Sequence, residues 1–126
     1  MIEMTWPGGE HSFALRIGEL QALQDITGEG PGASLQRLYM SLQGNALMGG
    51  WKIADVVDTV RLGLIGGGME RVEAAKLVRE VVERQNITSL INTACEVLLA
   101  ALSEKDPDAG KPTGEPTPQT NGPSTE

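Results

Sequence analysis

Between residues 2 and 17 the chain alternates apolar and polar positions with a period of two: Ile2, Met4 and Trp6, then Phe13, Leu15 and Ile17. Such alternation marks strands with one buried face. Pro7-Gly8-Gly9 between the two runs reverses the chain, so the segment predicts a β-hairpin that ends at Gly18. A lone two-stranded hairpin is marginal in water and must pack on something or pair with another chain.

Beyond Gly18 the period becomes that of a helix. Residues 19–28 place Leu20, Leu23 and Ile26 on one face, and the Gly/Pro-rich stretch 27–32 then breaks the chain. From Ala33 onward Leu35, Leu38, Tyr39 and Leu42 recur at helical spacing, with Gly44 as the C-cap. In residues 51–65 the stripe is Ile53, Val56, Val57, Val60 and Leu64, with Asp55, Asp58 and Arg61 off it. Residues 69–84 bury Ala74, Leu77, Val78, Val81 and Val82. On their wet side, Lys76 with Glu80 and Arg79 with Glu83 are opposite charges four apart, each pair worth about 0.2–0.5 kcal/mol. Asn86 or Thr88 caps a last helix whose apolar face holds Leu90, Ile91, Ala94, Cys95, Leu98, Leu99 and Leu102. The pattern predicts a mainly α domain over 1–103, an N-terminal β-hairpin followed by about five short helices. Residues 104–126 hold five of the seven prolines and no large apolar side chain, the composition of a disordered tail.

Composition narrows the functional classes. Of 126 residues, 17 are acidic and 10 basic, a net charge of −7. Phosphates of nucleic acid or of an anionic membrane would meet a like-charged surface. The few aromatic rings make a stacking platform for single strands a poor fit as well. Cys95 is the single cysteine, so no internal disulfide forms. No apolar run approaches the roughly 20 residues of a membrane-spanning helix, and the N-terminus lacks a signal-peptide pattern. The expected setting is cytoplasmic.

The candidate chemistry centres on Gly63, Gly66, Gly67 and Gly68, which precede a helix as a phosphate loop would. A Walker loop needs Lys-Ser/Thr after its last glycine, and here Met69-Glu70 follows. A dinucleotide fingerprint needs glycine at 71, where Arg71 stands. Glu70 in the next first turn would also repel a phosphate. A helix stop with a flexible lead into the next helix is the better reading. His11, the sole histidine, is expected as an exposed hairpin residue with no nucleophile to serve. Cys95 reads as a buried small hydrophobe. Asp55 and Asp58, with Glu70 and Glu73 across the loop, read as a solvated acidic face in preference to a metal cage or an acid–base pair. No catalytic residue, cofactor or metal ligand is assigned, and enzymatic activity has no support. The core helices and the hairpin edge instead favour protein–protein interaction.

Two stretches carry a family resemblance. "GGEHSFALRIGELQALQDITGEGP" at 8–31 and "VVDTVRLGLIGGGMERVEAAKLV" at 56–78 resemble gene transfer agent proteins of the phage tail assembly chaperone class. The matching positions are Phe13, Leu15, Ile17, Gly18, Glu19, Leu20, Ala22, Leu23 and Gln24, then Gly28 to Pro31 (including Gly30), and Arg61, Leu62, Gly63, Leu64, Ile65, Gly66, Gly67 and Gly68. Gln21 departs from the arginine common there, and the likeness spans about 8–103. The resemblance implies a protein that has the tape-measure protein, and also the tail tube protein, as partners and keeps the tape measure soluble in the bacterial host until tube subunits polymerise around it. Homo-oligomers are compatible with it. The same family also carries a tail tube label, which implies the alternative of a structural tube or connector subunit retained in the particle.

Overall fold

In the computed structural model, which describes residues 1–103, strand β1 (Ile2–Trp6) pairs antiparallel with strand β2 (Gly9–Phe13). Ile2 lies opposite Phe13, Met4 opposite His11 and Trp6 opposite Gly9, and these pairs share one face of the hairpin. Trp6 and Phe13 are buried and meet edge to face, with ring centroids 5.7 Å apart. His11 is half-buried, not exposed as expected, because its Nδ1 accepts the Trp6 indole N–H at 2.8 Å.

The second strand stops at Phe13 instead of running to Ile17. The Ala14 N–H leaves the ladder and donates to the Gly63 carbonyl at 3.0 Å, and Leu15 drops into the core. Glu19 then accepts the Arg16 N–H at 2.8 Å, which satisfies a free donor at the start of helix α1 (Ile17–Thr27). Ile17 therefore begins a helix and is 81% exposed, and Gly18 lies inside that helix instead of ending a strand. The inward stripe of α1 is Leu20, Leu23 and Thr27, while Ile26 is exposed: i, i+3, i+7 keeps closer to one face than i, i+3, i+6. Gly28, at φ +79°, closes the helix by donating its N–H to the Gln24 carbonyl at 2.8 Å.

Helix α2 (Pro31–Gln43) begins earlier than expected, with Pro31 at the first position, where a missing N–H costs nothing. Its buried line is Ser34, Leu38 and Ser41, and Tyr39 and Leu42 are exposed. Small residues on that line allow close packing, and Ser41 satisfies its hydroxyl on the Arg37 carbonyl at 2.9 Å. A 3₁₀ turn (Ala46–Met48) follows, pinned by the Trp51 indole N–H donating to the Ala46 carbonyl at 2.7 Å.

Helix α3 (Ile53–Gly66) is the centre of the fold, touching β2, α1, α4 and α5. Val56, Val60 and Leu64 are buried as expected, and so are Asp55, Thr59, Leu62 and Gly63, because neighbours cover the helix on several sides. Ile53, at the first position of the helix, is exposed, and Val57 is half-buried. Helix α4 (Arg71–Arg84) buries Ala74, Val78 and Val81, with Leu77 and Val82 half-buried. Glu70 sits before that helix, not in its first turn, and accepts the Glu73 N–H at 3.1 Å. Among the described residues neither Lys76–Glu80 nor Arg79–Glu83 closes into an ion pair.

Asn86 caps a second 3₁₀ turn (Ile87–Leu90), through its side chain and the Ser89 N–H at 3.3 Å, instead of the last helix. Helix α5 (Ile91–Ser103) packs on α2 and α3. Leu90, Ile91, Ala94, Cys95 and Leu98 are buried, joined by Thr93 and Val97, whereas Leu99 and Leu102 pass the rim of this contact and are exposed. The hairpin and five α-helices are thus present. The expected tail at 104–126 lies outside the described residues.

Candidate functional site

The two family-like stretches meet at the C-terminal end of α3. A Cβ on Gly66 would overlap the Ala14 carbonyl oxygen and come within 3.2 Å of the Glu19 carboxylate, the same group that caps α1. A Cβ on Gly67 would overlap the Ser12 carbonyl. The glycines form a seat on which the backbone leaving β2 rests. They serve close approach, where sequence reasoning expected a flexible lead into α4.

This seat is not a phosphate cradle. Gly67 N–H donates to the Gly63 carbonyl at 2.9 Å, Gly68 N–H to Ile65 at 3.0 Å and Met69 N–H to Leu64 at 2.9 Å. Those donors terminate α3 and are not turned outward for an anion. Of the glycines at this seat Gly68 has the left-handed φ, +117°, and turns the chain toward α4.

Other motif residues take various places. Phe13, Leu15, Leu23, Leu62 and Leu64 are core, with Leu20 half-buried beside them. Gly30 and Pro31 start α2. Ile17 and Gly18 are exposed on the first turn of α1. Arg61 pairs within its own helix to Asp58 at 2.8 Å.

A charged cluster that sequence reasoning missed links α1, α2 and α3. Asp55 is buried, not part of a solvated acidic face, and receives Arg37 at both carboxylate oxygens, 2.7 and 2.9 Å. It also accepts the Lys52 N–H at 2.8 Å, capping α3. Arg37 pairs with Glu29 as well, and Lys52 Nζ donates to the Thr27 carbonyl at 2.9 Å. Burial opposes the charged Asp55, but the bonds from Arg37 and Lys52 outweigh it and hold the carboxyl below its usual range. The detectable signal is Asp55 three residues beyond Lys52, where a helix-starting carboxylate belongs. Asp58 accepts from Arg61 and Glu70 accepts the Glu73 N–H, and among the described residues no three potential ligands gather to hold a metal.

Two surface features remain. An open groove of about 490 Å³ runs along β2, lined by Glu3, Glu10, Ser12 and Glu73 over Leu64 and Met69. Separately, large apolar side chains are exposed between residues 39 and 53: Tyr39, Met40, Leu42, Leu47 (75%), Met48 (80%) and Ile53. Cys95 is buried, and burial, with Glu96 nearby, pushes its thiol up. No described helix is long and apolar enough to cross a membrane.

Residues 1–104 match the family model described as phage tail tube protein, GTA-gp10. No curated protein and no solved structure matches the chain.

Proposed function

The chain belongs to the GTA-gp10 phage tail tube family, and from that premise we propose that it is a structural tube or connector subunit of a gene-transfer-agent-type tail. The observation that carries this reading is the extent of the match, which takes in the hairpin, all five helices and the glycine seat. The build is consistent with a structural part. The hairpin is locked to α3 by backbone contacts, and α1, α2 and α3 are tied by the Arg37–Asp55 cluster. Such a body presents a defined surface to neighbouring tail proteins without catalysing a step. Assembly would take place in the cytoplasm of the bacterial host.

Mass spectrometry of purified particles tests the proposal. A retained subunit is expected in tailed particles at a fixed ratio to other tail proteins. Absence from particles, with abundance in the assembling cells, would overturn it.

The exposed side chains between residues 39 and 53 favour a second reading, an assembly chaperone that shields apolar segments of the tape-measure protein. Under that reading co-expression keeps the tape measure soluble and the two proteins co-purify, while the particle lacks this chain.

A further inference from the structure

We propose that β1 is a docking edge for a second copy of this chain, the two β1 strands pairing antiparallel about Met4 to join two hairpins into one sheet. The inference does not depend on whether the chain stays in the particle.

The hairpin register sets which backbone groups are available. Pro7-Gly8 is a two-residue turn closed by the Trp6–Gly9 pair, so the N–H and C=O of Ile2, Met4 and Trp6 face β2. Those of Glu3 and Thr5 face outward. Both residues are exposed, and among the described residues no hydrogen bond reaches their outward backbone groups. On the other edge α3 covers the end of β2: Ala14 N–H bonds to Gly63, and Gly67 lies against the Ser12 carbonyl. "IEMTW" holds no lysine, proline or bulge, and Glu3 is the single charge along this edge.

The sequence of β1 is self-complementary in one register. Pairing about Met4 sets Glu3 against Thr5 of the second copy, and Thr5 against its Glu3, both as hydrogen-bonded pairs. On the inner face Ile2 meets Trp6 of the second copy and Met4 meets Met4, apolar against apolar. The half-buried Ile2 and Met4 would gain cover. A slip of two residues one way opposes Glu3 to Glu3, like charge to like charge. A slip of two the other way opposes Glu3 to Pro7, which has no N–H to give. Charge and donor chemistry therefore select one alignment. The net charge of −7 repels two copies at long range, so salt strengthens the pairing.

Sedimentation equilibrium of the full chain over a range of protein and NaCl concentrations reads the association directly. The expected result is a monomer–dimer equilibrium that tightens with salt. Thr5→Glu sets like charges opposite each other twice and should weaken it about tenfold, and Thr5→Lys should tighten it. Met4→Cys should cross-link the dimer under mild oxidation, because that pair sits about 4.5 Å apart at Cα, whereas Thr5→Cys should not. Thr5 is exposed, and circular dichroism checks that its variants stay folded. A chain that stays monomeric throughout, or a dimer indifferent to both Thr5 charges, overturns the proposal.

Discussion

Arg37 grips Asp55 at two points, Nε to Oδ2 at 2.7 Å and Nη2 to Oδ1 at 2.9 Å, on a carboxylate with no solvent exposure. The pair ties α2 to the start of α3, and removing one partner strands the other's charge out of water. Arg37→Met should lower unfolding free energy by about 3 kcal/mol, read from urea denaturation. Arg37→Lys should rescue only part, because an ammonium cannot reproduce the two-point grip. Replacing both residues, Arg37→Met with Asp55→Leu, should cost less than Arg37→Met alone.

The same cluster predicts an acid-sensitive fold. Asp55 is held below the usual carboxylate range against the opposing effect of burial. Glu29 is lowered by its hydrogen bond with Arg37 and then by the charges of Arg37 and Lys52. A carboxylate with a depressed folded-state pKa contributes stability that is complete above its unfolded value and lost as pH falls through the folded one. Thermal midpoints should therefore drop as pH falls below about 4, near the unfolded values of Asp and Glu. Asp55→Asn should flatten that drop, and a midpoint that rises on acidification would contradict the assignment.

Gly66 and Gly67 should tolerate no side chain. Gly66→Ala and Gly67→Ala each drive a methyl into a backbone carbonyl, of Ala14 and Ser12, and should cost at least about 1–3 kcal/mol. Gly18→Ala is the control: nothing lies within 4 Å of its added methyl, and it sits in a helix. It should be neutral or stabilising by up to about 1 kcal/mol. If all three variants unfold at the same urea concentration, the glycines are not a seat.

These positions show where the sequence was legible. The period-two run located the hairpin and the period-3.6 runs located the helices, because each pattern reports directly on a buried face. Alternation overstates the length of the hairpin, because Leu15 continues the pattern while its backbone has already left the ladder. The decision lay in the Arg16–Glu19 cap, which alternation does not register. Asp55 lies off the apolar stripe, yet α2 supplies Arg37 from 18 residues away, and no local pattern encodes that partner. Tyr39, Leu42, Leu99 and Leu102 fit helical spacing and still face water, since spacing fixes a stripe but not how wide a neighbour covers it. Glycines 66–68 read as a helix stop, but the close approach that Gly66 and Gly67 require comes from Ala14 and Ser12, some fifty residues earlier in the chain.

Cys95 offers a probe of global opening. It is buried in α5, and burial raises its thiol above the ordinary value, so the native thiolate is scarce as well as shielded. Labelling with a thiol-reactive disulfide should be slow in the native protein and accelerate with urea in step with the fraction unfolded. Rapid native labelling would show that α5 opens locally, without loss of the rest of the core.

Leu47 and Met48 separate folding from binding. Both lie on the 3₁₀ turn after α2 with most of their surface in water, so Leu47→Ser with Met48→Ser removes little buried area. The double variant should keep its urea midpoint within about 0.5 kcal/mol of the parent. If the apolar surface between residues 39 and 53 covers a tail partner, the same variant should lose co-purification with that partner while remaining folded. In a tube or connector subunit, incorporation into particles should fall. In an assembly chaperone, the co-expressed tape-measure protein should instead become insoluble. Stability and particle content measured side by side distinguish a binding surface from a patch that only contacts solvent. Unchanged particle yield and unchanged tape-measure solubility would remove this surface from the account of tail assembly.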